Sequence, residues 1–61
     1  MMNKEPKFEI LLSRDAHYYF NLKAPNGEII ATSEMYNSKQ ACKKGIEAVK
    51  NYAPQAKIVE E

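Results

Sequence analysis

Ala24-Pro25-Asn26-Gly27-Glu28 decides how this chain is read. Pro25 sets φ for the first central position of a type I turn, and Asn26 suits the second. Gly27 then takes the left-handed conformation as a bulge residue, which closes a three-residue hairpin loop. A bare two-residue Asn-Gly turn is the alternative. It would place Pro25 at a paired position without an N–H, so the three-residue loop is favoured. That choice sets Ala24 opposite Glu28 and Leu22 opposite Ile30. A slip of one residue would exchange which of Ile29 and Ile30 points inward.

Outward from this turn the apolar periodicity defines the flanking elements. On the N-terminal side a strand runs from His17 to Ala24, with Tyr18, Phe20, Leu22 and Ala24 on one face. His17, Tyr19, Asn21 and Lys23 share the other. Further back, Phe8, Ile10 and Leu12 alternate in a strand from Lys7 to Leu12, with Leu11 opposed to them. Ser13 to Ala16 read as the turn between the two strands. Met1 to Pro6 are polar and expected to be loosely ordered. On the C-terminal side a third strand runs from Glu28 to about Thr32. Ser33 to Tyr36 connect it to a helix whose N-cap is Ser38, with Asn37 as second choice. The helix extends to about Tyr52, carrying Cys42, Ile46, Val49 and Ala53 at helical spacing. Gly45 lies mid-helix, where it costs about 1 kcal/mol relative to Ala, so it is expected to permit close approach to the sheet. Pro54 stops the helix, and Lys57 to Val59 are expected to form a short final strand. Phe8, Ile10, Leu12, Tyr18, Phe20, Leu22, Ile46 and Val49 are the expected core.

The fold class is therefore α+β, a β-β-β-α-β motif with the helix on one face of an antiparallel sheet. Residues 1–61 make a single domain. A domain of this size buries only ~60% of the surface its unfolded chain exposes. Small domains usually need a staple. One cysteine allows no intrachain disulfide, and one histidine with no Cys/His cluster argues against structural zinc. Oligomerisation is left. Leu11, Tyr19 and one of Ile29 or Ile30 also lie on the face away from the helix, where a lone sheet should be polar. Another polypeptide is expected to complete or cover the fold.

A family resemblance follows from these residues. Leu22 to Ile30, then Ser33-Glu34-Met35-Tyr36, Ser38-Lys39 and Gly45-Ile46, resemble the YegP-like family of small, largely bacterial proteins of unknown function. The likeness spans roughly Phe8 to Val59. Pro25 departs from it, standing where a small residue such as Ala is expected. The resemblance implies two β-β-β-α-β motifs sharing one antiparallel sheet with exchanged C-terminal strands. A single-repeat chain would then be a homodimer. It brings no established activity and no catalytic residues.

Charge and composition narrow the function classes. Nine Lys plus Arg against eight Asp plus Glu give a net charge of +1. A dedicated nucleic-acid binder would usually be more basic. No apolar run is long enough for a transmembrane helix or a signal-peptide core, and a lone thiol fits the reducing cytoplasm.

Each candidate site residue also has an ordinary structural duty. Cys42 lies near a helix N-terminus, which favours thiolate. Yet it sits on the apolar helix face, where a core role is favoured. His17 stands at a strand end with no partner for acid–base work. Ser33, Glu34, Tyr36 and Lys39 cluster between strand and helix, where loops often carry function. Capping by Ser38, dipole complementation by Glu34 and packing by Tyr36 explain most of that cluster.

Tyr19 and Lys23, with Lys39, Lys43, Lys44 and Lys50, could serve a weak, sequence-tolerant contact to nucleic acid. The sequence assigns no catalytic, cofactor-binding or metal residue, and no cofactor. The expected role is a non-enzymatic, dimeric interaction module. Its interaction surface would be drawn from Tyr19, Lys23, Ser33, Glu34, Tyr36 and Lys39. Its partners would be a second copy and an unidentified protein, with nucleic acid as the weaker alternative.

Overall fold

The central hairpin closes as its residue types dictate. The Gly27 N–H donates to the Ala24 carbonyl at 2.9 Å, and the Ala24 N–H donates to the Glu28 carbonyl at 2.8 Å. Gly27 has φ +91°, and Asn26 Oδ1 accepts from the Glu28 N–H at 3.0 Å. This is the three-residue loop, with Ala24 facing Glu28. The structure, a computed structural model, describes residues 5–61. Of the segment expected to be loose, residues 1–4 lie outside the described residues; Glu5 and Pro6 are exposed and without regular structure.

The first turn repeats the same geometry. The Ala16 N–H donates to the Ser13 carbonyl, and the Ser13 N–H donates to the His17 carbonyl at 2.7 Å. Ala16 occupies the place that Gly27 holds in the second turn, with φ +66°. An L-residue pays about 1–2 kcal/mol there. No atom lies within 4 Å of a Cβ built on Gly27, so the backbone alone opposes a side chain at that position. Gly27→Val should therefore destabilise by about 1–2 kcal/mol. Ala16→Gly should cost nothing, because relief of the left-handed strain offsets the added freedom of the unfolded chain. Paired urea melts of the two variants check this, and a stable Gly27→Val protein would show the loop to be unconstrained.

Three antiparallel strands result: β1 Lys7–Leu12, β2 Tyr18–Lys23 and β3 Ile29–Thr32, in the spatial order β1-β2-β3. Phe8 faces Leu22, Ile10 faces Phe20 and Leu12 faces Tyr18. Between β2 and β3 the register shifts. Lys23 faces Ile29, but Leu22 faces Ala31. The expected pairing of Leu22 with Ile30 is corrected: Ile30 is the extra residue of a β-bulge. Neither isoleucine points into the core, since Ile29 is 55% and Ile30 62% exposed. The bulge absorbs the slip that would otherwise have selected one of them.

Beyond Thr32 the chain stays beside β2. The Ser33 N–H donates to the Phe20 carbonyl, and Ser33 Oγ accepts from the Phe20 N–H, both at 2.9 Å. Tyr36 then forms a bridge to Tyr18 through reciprocal main-chain hydrogen bonds of 2.7 and 2.9 Å.

Helix α1 spans Lys39–Tyr52, capped by Ser38, whose Oγ accepts from the Ala41 N–H at 3.0 Å. The α-helix ends at Tyr52, just ahead of Pro54, as expected. A 3₁₀ turn, Ala53–Gln55, follows, with Pro54 in its first positions, where a missing N–H costs no hydrogen bond.

The helix lies on the face of β1 and β2 that carries Phe20 and Ile10. Phe20 and Cys42 are buried. Phe8, Ile10, Tyr18, Leu22, Ile46 and Val49 are half-buried around them. Leu12, expected in the core, is 60% exposed. It ends an edge strand, and one helix of this length is too narrow to cover the whole sheet.

The expected strand at Lys57 to Val59 is not formed within the chain; the segment is without regular structure, and its residues are exposed. No edge of its own sheet receives it.

Candidate interaction surface

The strand–helix connection is used by the fold. Ser33 supplies the main-chain and hydroxyl hydrogen bonds that dock it to Phe20, and its Oγ–H donates to the Glu34 carbonyl at 2.7 Å. The Tyr36 ring stacks on Phe20, with centroids 6.3 Å apart and planes 14° from parallel. Glu34 is exposed and stands outside the helix's first turn, which holds no acidic residue. The dipole role expected for Glu34 is therefore absent.

Tyr19 and Lys23 lie on the opposite face. Tyr19 faces Leu11 across the strands, both half-buried. Lys23 Nζ is 3.0 Å from Glu9 Oε1, and Lys7 Nζ is 3.6 Å from Glu9 Oε2. The Lys23 ammonium, hydrogen-bonded to Glu9, holds that carboxyl below its usual range against a smaller opposing effect of desolvation. Beside this pair Asn21 is buried, its Oδ1 accepting from Thr32 Oγ1 at 2.8 Å. The face away from the helix is thus closed by paired polar side chains as well as by Leu11 and Tyr19. Lys23 offers less to a phosphate than its sequence position implied, because its charge is already matched.

Cys42 is fully buried, and burial pushes its thiol above the ordinary range. Both features suit a packing residue, since the thiolate is the reactive form. His17 sits in the tight first turn, its N–H donating to Ser13 Oγ at 3.1 Å.

The candidate residues therefore do not converge. Lys39 lines a concavity together with Lys43, already grouped with it among the helical lysines, and with apolar residues of β1 and β2 that the sequence did not add to them. An open cleft of about 460 Å³ is bounded by Ile10, Leu11, Leu12, Tyr18, Lys39 and Lys43. Lys39 Nζ stands over the Tyr18 ring, 5.9 Å from its centroid. The cleft is bounded by the helix and by β1, which among the described residues pairs only with β2. The signal for it was the i, i+4 spacing of Lys39 and Lys43, which puts both on one helix face. The sequence could not show that this face overlooks an open strand edge.

No helix among the described residues is long and apolar enough to cross a membrane.

Comparison with known proteins places this architecture. A solution structure of a protein from Haloferax volcanii has a TM-score of 0.85 at 43% identity, covering 98% of this chain and all of that one. A UPF0339 protein of Methanosarcina acetivorans is 49% identical over 53 residues, covering 87% of this chain and 91% of its own. The UPF0339 protein YegP of Escherichia coli K12 is 46% identical over 54 residues. There the match takes in 88% of this chain but only 49% of YegP, so the chain spans about half that relative's length. The largely bacterial compass implied by the resemblance is too narrow, since archaeal proteins are among these relatives. Residues 13–60 match the family described as a domain of unknown function, DUF1508, and with these relatives the match establishes that the chain belongs to the DUF1508, or YegP-like, family.

Proposed function

We propose that the chain is a non-enzymatic, homodimeric interaction module whose C-terminal segment, residues 57–59, adds a strand to the sheet of a second copy. The observation that carries this is the state of the tail. Ile58 is 100% and Val59 75% exposed, held clear of their own domain. Two adjacent β-branched apolar residues so placed favour a pleated, half-buried setting. A second copy has what they need, since β1 and β3 are both open edges. Its exposed Leu12, Ile29, Ile30 and Met35 would lose water on association.

YegP, about twice as long, supports the same count of motifs, which two copies of this chain would supply together. Cys42, the strongest nucleophile candidate, serves as packing. That role supports a binding module over an enzyme and asks for no oxidising compartment, so the proposed setting is the cytoplasm. The further partner is a protein that meets the completed sheet.

Exchange makes folding and association one event, so the melting temperature should rise with concentration, by roughly 5 °C for each tenfold increase. Sedimentation should give a dimer mass for the whole chain and no dimer for a chain lacking residues 57–61. A melting temperature constant over a hundredfold range, with monomer mass throughout, would overturn the reading. So would a truncated chain that still dimerises.

A further inference from the structure

We infer that the incoming C-terminal segment seats on the β1 edge of the second copy and is held there by an electrostatic latch, Glu60 of one copy against Lys39 and Lys43 of the other. This rests on the exchange proposed above and specifies its edge, its facing and its charge pairing.

The two open edges are not equivalent. β3 has four residues and is bulged where Ile30 is extruded, a device that discourages further pairing. β1 has six residues in unbroken register with β2, so its outward main-chain groups are evenly presented. The cleft beside that edge combines an apolar floor of Ile10, Leu12 and Tyr18 with two ammonium groups. Among the described residues neither Lys39 nor Lys43 joins an ion pair, whereas Lys7, Lys23 and Lys50 each have a carboxylate within 4.0 Å.

The tail Lys57-Ile58-Val59-Glu60-Glu61 has the complementary pattern. In a strand, residues two apart share a face. Ile58 and Glu60 therefore face the helix together, and Val59 takes the other side, beside Leu11. With Ile58 over the apolar floor, Glu60 comes up under the helix face that carries Lys39 and Lys43. A slip of one residue would instead bring Val59 and Glu61 to that face and turn Ile58 away; Glu61 carries the same charge, so the ion pair selects the edge on which the tail seats, and reversal of Glu60 separates the two registers. Two-fold symmetry forms the latch twice.

The test uses charge reversal at exposed positions, where the fold itself is undisturbed. Dimer dissociation constants would be measured by sedimentation for the wild type, Lys43→Glu, Glu60→Lys and the double variant. Each single reversal should weaken the dimer about tenfold, from two symmetric rim pairs, and the double variant should recover most of that loss. The single-variant deficit should shrink in 0.5 M salt. Equal weakening in the double variant, or wild-type affinity in both singles, overturns the latch. If the wild type still dimerises through residues 57–61 in that case, exchange stands and only the latch fails. A monomeric wild type fails both.

Discussion

Phe20→Ala should abolish the fold. Phe20 is 5% exposed and joins the sheet, the connection and the helix. It meets Phe8 edge-on, with centroids 5.6 Å apart at 76°, and stacks on Tyr36 on another side. Its main chain also carries both hydrogen bonds to Ser33. Truncating a buried Phe costs ~3–5 kcal/mol, partly lost burial and partly the cavity left behind. A chain of 61 residues has a total stability of only ~3–9 kcal/mol, so little or nothing is left. Thermal melts followed by circular dichroism at one fixed concentration check this. Tyr52→Ala is the comparison, because Tyr52 is 71% exposed and should change stability by less than about 0.5 kcal/mol. If the two variants melt alike, Phe20 is not the centre of the core.

Gly45→Ala should destabilise by about 2–3 kcal/mol, although Ala is the better helix former by about 1 kcal/mol. A Cβ at this position would run into the Tyr36 hydroxyl, lie 2.7 Å from Tyr36 Cζ and reach a Phe20 ring carbon at 3.4 Å. The Tyr36 ring cannot easily withdraw. It is stacked on Phe20, and its main chain is bridged to Tyr18. Steric conflict therefore outweighs propensity. Adding Tyr36→Phe should restore part of the loss by removing the hydroxyl, a coupling that a double-mutant cycle in urea would measure. A Gly45→Ala protein as stable as the wild type, or more so, would mean that the helix can lift from the sheet without penalty.

These two residues also mark the boundary between local and tertiary information. Sequence alone determined what depends on near neighbours. Pro25-Asn26-Gly27 specified a three-residue loop because each backbone conformation was available to its own residue type. Alternation specified β1 and β2, the Ser38 hydroxyl specified the start of the helix, and Gly45 announced a close approach.

What the sequence could not decide depended on where the elements came to lie. Gly45 meets Tyr36 as well as Phe20 because the connection after β3 bends back to pair with Tyr18. Ala16 adopts a left-handed conformation because the strands on either side close over it. Leu12 obeys the same alternation as Ile10, yet it remains exposed at the end of an edge strand. The Ile29/Ile30 choice dissolved in a bulge, which periodicity cannot register because it inserts one residue into a ladder of period two. Tyr36 packs on the sheet, as the structural reading of its cluster expected, but that its partner is Phe20, to which Ser33 also docks, followed only from the packed arrangement. Lys39 belongs to a cleft with Lys43 that exists only because the helix packs beside Ile10, Leu12 and Tyr18 without filling the space between. Periodicity reports that a face is apolar; only the packed arrangement of sheet and helix decides which part of that face is covered and which part waits for another chain.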